Sequence, residues 1–550
     1  MAAKGCIARR NLALCRYDEM SASPRHSSLW EHPLTLADDL ILPATRMKVM
    51  YLLLVLGFLP VLLLLATDRF AMLARLSAWT GLVLAGLPTL AILTNRRARP
   101  SSLAGLSLMI TLCYFLATLH EERLLLRWGE ARITESSVSL AMIYAALSIP
   151  VLQLGAGLCG SLGIPKLLPR LSLPLSDRAL LGGGLLIVGW SLLFDVLRLR
   201  GVVPRQQQLI SVLSILAPID LGYAMVLIPS LRPGKQRLGL LFWSLTFVSS
   251  LVALMSGSLA PMVQPLLVYL LGWLLVRRRL RVWPIVLGVL AVLLFQPVKG
   301  EFRAKVWDRE VRLSLVERAQ LFVDLSARHW LGGETAPTVD RERSVKVAAA
   351  RTASALQLAH IIEMTPAAIP HQLGNTYRYF RYTLLPRVFF PDKPSAQYAD
   401  VWAAVMYGYT TPTGTAHVMV GLPQLAESYI NFGFVGGLLV VLLVGFLLRI
   451  ADEIFAHRHA GTGALALFLF FSQQVMRTFE GSAGQFWGGV LQQFGLYALV
   501  LFLYGALLRA AQPRLSSVPT SVRTLAAVMR TGTSVPTIAS TSTLGATSTF

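Results

Sequence analysis

Residues 421–449 read GLPQLAESYINFGFVGGLLVVLLVGFLLR, and this stretch decides the fold. From 428 to 448 it contains no charged residue, and an apolar run of about 20 residues is the length that a helix needs to cross a bilayer. Inside hydrocarbon, backbone N–H and C=O groups must be satisfied by the protein itself. The run therefore predicts a transmembrane helix.

The composition extends this prediction to the whole chain. Its 550 residues are 55% hydrophobic and only 14% charged, which is more apolar surface than one soluble core buries. The net charge of +22 is typical of nucleic-acid binding, but Lys and Arg lie in short clusters between apolar runs, as in inner membrane loops. No nucleic-acid partner is expected. Cys6, Cys15, Cys113 and Cys159 lack the spacing of a disulfide framework or a metal site.

Apolar runs between charged or Pro/Gly interruptions predict an all-α polytopic membrane protein with about 12 transmembrane helices. The predicted spans are 48–66, 77–94, 102–119, 137–160, 179–197, 208–229, 238–255, 259–276, 282–298, 428–448, 462–476 and 486–507. A tight hairpin at Ser256-Gly257-Ser258 joins the seventh and eighth spans.

Five regions follow from these spans. Residues 1–46 form a polar N-terminal extension, and Met47 is the predicted start of translation because Met47-Lys48 opens directly into the first span. A nine-helix region covers 47–298, a large loop 299–425, and a three-helix region 426–508. The Ser/Thr/Pro-rich tail 509–550 is predicted to be disordered.

The distribution of Lys and Arg orients the chain. The short inner segments hold nineteen of them and the short outer segments nine, which places both termini in the cytoplasm. The loop 299–425 then faces outward, and its length predicts a functional role. Within it, residues 343–364 are predicted to form a helix that lies on the membrane or packs on the bundle, and that ends at Pro366.

Several short motifs carry a family resemblance. They are Leu385-Pro386-Arg387, Phe390-Pro391-Asp392-Lys393-Pro394 and Glu427-Ser428-Tyr429-Ile430-Asn431-Phe432-Gly433, with Lys299-Gly300-Glu301-Phe302-Arg303 upstream and Arg351 ahead of Glu363-Met364-Thr365-Pro366. Over roughly residues 250–450 the chain resembles the Wzy-type oligosaccharide repeat unit polymerases, which make O-antigen or exopolysaccharide.

The resemblance implies a metal-independent glycosyltransferase of the bacterial inner membrane, with the loop between helices 9 and 10 in the periplasm. Such an enzyme moves a growing glycan from its polyprenyl diphosphate carrier onto the next lipid-linked repeat unit. The implied partners are undecaprenyl-diphosphate-linked oligosaccharides, membrane lipids, and flippase and chain-length regulator proteins. No cofactor is expected, because the sequence shows neither an Asp-x-Asp metal motif nor a nucleotide-binding glycine loop.

This transfer needs cations that bind diphosphate and a base that accepts a hydroxyl proton. The candidate diphosphate-binding residues are Arg303, Arg351, Arg387, Lys393, Arg378 and Arg381. Arg387 and Lys393 also fit a Pro-rich turn held by an ion pair from Arg387 to Asp392. Arg378 and Arg381 lie among tyrosines, a composition that also suits anchoring at the membrane interface.

Glu427 is the first candidate for the general base, because a carboxylate at the hydrocarbon edge is costly unless it is paired or wet. The alternative is an ion pair with a loop arginine. Asp392 is the second candidate and His417 the third. Tyr377, Tyr429 and Asn431 are predicted sugar contacts. The glycines of the tenth span are predicted to admit a neighbouring helix or a lipid tail; they are Gly433, Gly436, Gly437 and Gly445.

Three other functions remain open from the sequence. An O-antigen ligase or related transferase shares the donor and the outer loop but uses another acceptor. A transporter with 12 helices is disfavoured because the halves do not repeat and few ionisable residues, among them Asp195 and Asp220, lie in spans. A scaffold of an envelope complex would use the loop for docking.

The spacing between Arg477 and Gly488 also occurs in Wzy-type polymerases, but in a chain with 42 glycines such a match arises by chance.

Overall fold

A computed structural model describes most of the chain between residues 80 and 511. The described residues are 80–81, 83–84, 86, 101–110, 113–114, 127–128, 131–169, 171–200, 202, 218–232, 234–258, 260–277, 281, 283–306, 313–331, 354–383, 385, 390, 392–395, 397–413, 420–457 and 461–511. The predictions for Met47, for the span 48–66 and for the tail beyond 511 lie outside them, as does most of the span 77–94.

Helices make up nearly all of the regular structure, as the apolar runs predict. In chain order they are α1 Ser102–Ile110, α2 Glu135–Ser161, α3 Ile164–Leu167, α4 Asp177–Leu199, α5 Ile219–Ser230, α6 Gln236–Met255, α7 Ala260–Arg277, α8 Trp283–Val306, α9 Leu315–Leu331, α10 Ser354–Met364, α11 Phe380–Thr383, α12 Tyr398–Met406, α13 Gln424–Phe455, α14 Gly461–Thr478 and α15 Gly489–Ala511. A two-residue hairpin pairs β1 (Arg127–Trp128) with β2 (Ala131–Arg132), a small exception to the all-α prediction.

Among the described residues, five helical stretches are long and apolar enough to cross a membrane. They are Glu135–Ser161, Asp177–Leu199, Arg237–Met255, Gln424–Phe455 and Gly484–Leu508, and two shorter apolar helices cover Ile219–Ser230 and Pro261–Leu274. Each overlaps a predicted span, because an apolar run satisfies its backbone groups as a helix. Of the span 208–229, only the part from 218 onward is described. The count of about 12 spans stays a prediction.

The predicted hairpin at Ser256-Gly257-Ser258 is confirmed. Helix α6 ends at Met255, and α7 begins at Ala260. Gly257 adopts φ +73°, a left-handed conformation that glycine reaches without strain. By contrast, α8 continues through Val306, well beyond the predicted end of the ninth span at 298.

Helices α2 and α13 form a close pair that supports the loop. A Cβ on Gly155 would overlap the backbone carbonyl of Leu442, and a Cβ on Gly445 would overlap that of Leu152. Glycine is therefore required on both sides of this crossing. The predicted close approach at Gly445 is confirmed, and so is that at Gly437, which faces the Tyr144 hydroxyl.

One group of connecting segments is joined by hydrogen bonds at one end of the helices, called here the loop end. Thr134 donates its hydroxyl to Glu363 at 2.6 Å, and Arg303 Nε donates to the Gly257 carbonyl at 2.6 Å. Helix α10 lies at this end and is buried from Ser354 to Ile362 against α2. Of the two alternatives for residues 343–364, the described part therefore packs on the bundle.

A second group of segments is joined in the same way at the opposite end. Ser101 donates its hydroxyl to Asp452 at 2.7 Å, and Leu171 N–H donates to the Ile454 carbonyl at 3.1 Å. Asp177 pairs with Arg232 at 3.1 Å. The two groups match, respectively, the outer and inner segments predicted from the Lys and Arg distribution.

Candidate functional site

Glu427 lies in the first turn of α13, where the loop joins this helix, and its side chain is 0% exposed. The Thr376 hydroxyl donates to Oε1 at 2.7 Å, and the backbone N–H of Ala483 donates to Oε2 at 2.5 Å. Both carboxylate oxygens therefore accept from other segments of the chain. The predicted alternative, an ion pair with a loop arginine, is not formed among the described residues.

Asn431 lies one turn further along α13, so its side chain projects on the same face as that of Glu427. Its Nδ2 donates to Thr376 Oγ1 at 2.7 Å and to the Glu427 carbonyl at 2.8 Å. Its Oδ1 accepts from Gly374 N–H at 2.9 Å. Asn431 is fully buried, and its amide fixes the loop at 374–376, while the predicted sugar contact stays a prediction.

The helix is interrupted directly after this pair. Gly433 has φ +67° and ψ −162°, which is not helical, and a Cβ there would contact the His371 ring at 3.3 Å. Of the glycine predictions, this one is a backbone kink rather than a helix contact. The kink separates a short helical segment, 424–432, from the long apolar part of α13.

The segment from Phe479 to Gly488 is called here the last turn, and it contacts α11, α12 and the start of α13. Asp400 is fully buried and accepts from Ser482 N–H at 3.1 Å, from the Ser482 hydroxyl at 2.7 Å and from Leu422 N–H at 2.7 Å. Burial raises the pKa of the Asp400 carboxyl. A Cβ on Gly488 would overlap the Thr383 side chain. The last turn is therefore packed tightly against α11 and α12.

A surface of cations and aromatic rings lies beside these contacts. The guanidinium of Arg378 lies 5.0 Å from the Tyr379 ring centroid, and that of Arg381 lies 4.8 Å from the Tyr382 ring. Tyr379 stacks on Tyr398 with centroids 3.9 Å apart. Both arginines are exposed. The five residues are called here the Arg–Tyr surface, and they offer guanidinium groups and flat ring faces together.

Two of the predicted phosphate-binding residues, Arg303 and Lys393, donate hydrogen bonds to backbone carbonyls. Arg303 Nε donates to the Gly257 carbonyl, as described above, and Lys393 Nζ donates to the Tyr382 carbonyl at 2.9 Å and also to the Leu385 carbonyl. These contacts hold the hairpin and the Pro-rich turn. Asp392 is exposed. Arg351, Arg387 and His417 lie outside the described residues, and so does the predicted ion pair between Arg387 and Asp392.

The two tyrosines that are predicted to contact sugar, Tyr429 and Tyr377, differ in their burial. Tyr429 is 7% exposed, and its ring meets Tyr144 edge-on at 5.9 Å, so packing uses the ring and leaves little of it for a sugar. Tyr377 is half-buried beside Phe432, with centroids 6.0 Å apart. Burial and the nearby Glu427 carboxylate raise the pKa of the Tyr377 hydroxyl well above its usual value, so it remains a hydrogen-bond donor.

A second polar cluster, which no sequence motif marks, joins α5, α7 and α14. Asp220 of α5 is 3% exposed; Gln474 Nε2 donates to its Oδ2 at 3.0 Å, and Arg477 Nη1 lies 3.7 Å from the same oxygen. With its amide oxygen turned toward Arg477, Gln264 accepts from Nη1 at 2.9 Å. Arg477 is 54% exposed. In the sequence, the signal for this cluster is the carboxylate of Asp220 inside a predicted span.

In the described part of the chain, no three His, Cys, Asp or Glu side chains are close enough to hold a metal ion. The fold and its apolar helices define the class: the chain is an all-α membrane protein. No family model, no curated protein and no solved structure matches it.

Proposed function

We propose that the chain polymerises polyprenyl-diphosphate-linked oligosaccharide repeat units into O-antigen or exopolysaccharide. In this proposal it is a multi-pass protein of the bacterial inner membrane, with both termini in the cytoplasm and the loop end in the periplasm. The expected partners are undecaprenyl-linked substrates, a flippase that delivers them and a chain-length regulator.

One observation carries the proposal: the Glu427–Gly433 motif, one of those that carry the resemblance, joins the loop to the last turn by hydrogen bonds. Glu427 and Asn431 bond the loop through Thr376, and Glu427 also bonds the last turn through Ala483. Four of the five residues of the Arg–Tyr surface follow Thr376 on the same segment, between 378 and 382. The motif thus supports the segment that carries the cations of this surface.

The two groups of connecting segments support the proposed topology. Each segment at the loop end is separated from the next by an even number of predicted spans, and the same holds at the opposite end. Helices that alternate in direction through a membrane produce this separation. The proposal assigns the loop end to the periplasm because the opposite segments carry more Lys and Arg.

The reaction requires one bond exchange. A hydroxyl of the acceptor sugar attacks the anomeric carbon of the donor glycan, and the bond from that carbon to the diphosphate oxygen breaks. The diphosphate leaves with its lipid and carries the additional negative charge, while the hydroxyl proton passes to a base. Arg378 and Arg381 are proposed to bind the diphosphate, because a guanidinium donates to two phosphate oxygens at once. The adjacent tyrosine rings suit sugar faces.

A deletion strain tests the function. We expect it to accumulate single lipid-linked repeats in place of long chains, measured by mass spectrometry of the lipid fraction and by gel electrophoresis of the glycan. Complementation with Arg378→Ala/Arg381→Ala should reproduce the defect at normal protein level. The matched control is Arg178→Ala, which removes an exposed arginine at the opposite end. Unchanged chain length in the deletion strain would reject the proposal.

The ligase is kept as the second candidate because it would use the same donor and the same cations. The two functions differ in the lipid fraction of the deletion strain. A ligase mutant accumulates long chains on the polyprenyl carrier, whereas a polymerase mutant accumulates single repeats. Long lipid-linked chains would therefore replace the proposal with the ligase.

A further inference from the structure

Helix α9 (Leu315–Leu331) has three distinct faces. Its buried face packs on α8 and consists of Leu321, Phe322 and Leu325. Its exposed residues divide into two stripes, which helical geometry places on adjacent faces. One is polar and contains Glu317, Gln320, Asp324 and Arg328. The other, called here the apolar stripe, contains Val316, Val323 and Trp330, which are 67%, 62% and 47% exposed.

Helix α9 runs antiparallel to α8. The Phe322 ring lies 5.5 Å from that of Phe302 and 5.1 Å from that of Phe295. Near the end of α9, Trp330 Nε1 donates to the Leu294 carbonyl at 3.2 Å. From Phe322 to Trp330 of α9, the contacted residue on α8 changes from Phe302 to Leu294, which is earlier in the chain. The chain therefore leaves the ninth predicted span and returns alongside it, to the level of a residue inside that span.

The apolar stripe continues an apolar surface of α8. Leu287, Leu290 and Leu294 each follow at helical spacing, and each is 45–49% exposed. This surface belongs to a run that has no charged residue from 283 to 298, and such a face meets lipid in a membrane helix. Trp330, the last residue of the stripe, lies against Leu294. The stripe therefore meets the exposed apolar surface of α8 at this residue.

We propose that α9 lies in the membrane interface at the loop end, with the apolar stripe against lipid and the polar stripe toward water. Because α9 runs antiparallel to α8, the end of α9 that carries Trp330 reaches the boundary between headgroups and acyl chains, and its first turn lies nearer to water. Tryptophan is enriched at this depth, and the indole N–H of Trp330 is already satisfied by Leu294. Part of the loop predicted to face water is therefore a membrane-contacting segment. This assignment holds whatever reaction the loop end performs.

Spin labels on the two stripes test the proposal. Val323→Cys and Gln320→Cys are introduced singly into the full chain with its four native cysteines replaced, labelled with a nitroxide and reconstituted in phosphatidylcholine/phosphatidylglycerol vesicles. Power saturation then compares collisions with oxygen, which concentrates in lipid, and with a water-soluble nickel chelate. We expect the oxygen-to-nickel accessibility ratio to be at least tenfold higher at 323 than at 320. Asp324→Cys should follow 320.

Each outcome decides the matter. Equal ratios at 323 and 320, both dominated by the nickel chelate, would place α9 in water and overturn the proposal. A label at 323 that is immobile and reached by neither agent would mean that protein, such as a second copy of this chain, covers the stripe, and this also overturns it. As an independent readout, brominated lipid should quench tryptophan fluorescence less in Trp330→Phe than in the parent chain.

Discussion

The backbone N–H of Ala483 donates to the Glu427 carboxylate at 2.5 Å, and this bond joins the last turn to the start of α13. Thr376 satisfies the other oxygen, so the carboxylate is enclosed on both sides. A general base must reach its substrate proton directly or through one water. The geometry therefore favours a structural role for Glu427, called here a brace, in which the carboxylate holds Thr376 and Ala483 together. Its role as the general base stays a prediction.

The substitution Glu427→Gln separates these two roles. A glutamine keeps an oxygen for Ala483 N–H and turns its NH₂ toward Thr376 Oγ1, so a brace is largely preserved. We expect Glu427→Gln to retain long-chain synthesis. Glu427→Ala leaves two buried donors without acceptors, at about 1–3 kcal/mol each, and should lose both stability and synthesis. Thermal unfolding in detergent and glycan chain length measure the two effects.

The contrary result is equally specific. If Glu427→Gln folds with an unchanged unfolding temperature but makes chains about 10²–10⁴ times more slowly, Glu427 acts as the proton acceptor and the brace interpretation is wrong.

Asp400 should give the loop end a pH-dependent stability. Burial raises its pKa in the folded protein, so the folded state binds the proton more tightly than the unfolded state does. Its contribution is then most favourable below the ordinary carboxyl pKa and declines as pH rises from there to the raised value. We expect Asp400→Asn to flatten this part of the curve of unfolding temperature against pH. An identical slope in both proteins would contradict the prediction.

The α2–α13 crossing should not tolerate side chains at its glycines. Gly445→Leu forces the two backbones apart, and overpacking costs about 1–3 kcal/mol. The matched control is Gly157→Leu on α2, since a Cβ at Gly157 meets nothing within 4 Å. We expect a lower unfolding temperature in detergent for the first variant only. Equal unfolding temperatures would show that the crossing is looser than described.

The sequence predicts the helices well because lipid leaves the backbone few options. The spans 137–160 and 179–197 lie within the observed α2 and α4. It predicts the site less well, because a motif identifies residues but not their partners. The charge of Lys393 and Arg303 predicts phosphate ligands, but in the structure they donate to backbone carbonyls more than 7 residues away in sequence. Only the folded chain brings those carbonyls into reach.

The same limit applies to Arg477, whose spacing to Gly488 carried no weight. The structure places its guanidinium 3.7 Å from the buried Asp220 carboxylate. In the described residues, Asp220 Oδ1 is buried without a hydrogen-bond partner, so the carboxylate depends on the contacts of its other oxygen with Gln474 and Arg477. Removing the cation leaves the charge of Asp220 uncompensated.

Arg477→Ala should therefore destabilise the protein, and Asp220→Asn should rescue it. We expect a loss of about 1–2 kcal/mol for the single variant, below the cost for a fully buried pair because Arg477 is half exposed. In the double variant the charge of Asp220 is gone, so the unfolding temperature should return toward that of the parent.

Glycan chain length measured on the same double variant separates two roles for Arg477. Restored stability with restored chains means that Arg477 only neutralises Asp220, whereas restored stability without chains means that its exposed guanidinium also contacts substrate. If the double variant is as unstable as Arg477→Ala, the two residues are not coupled.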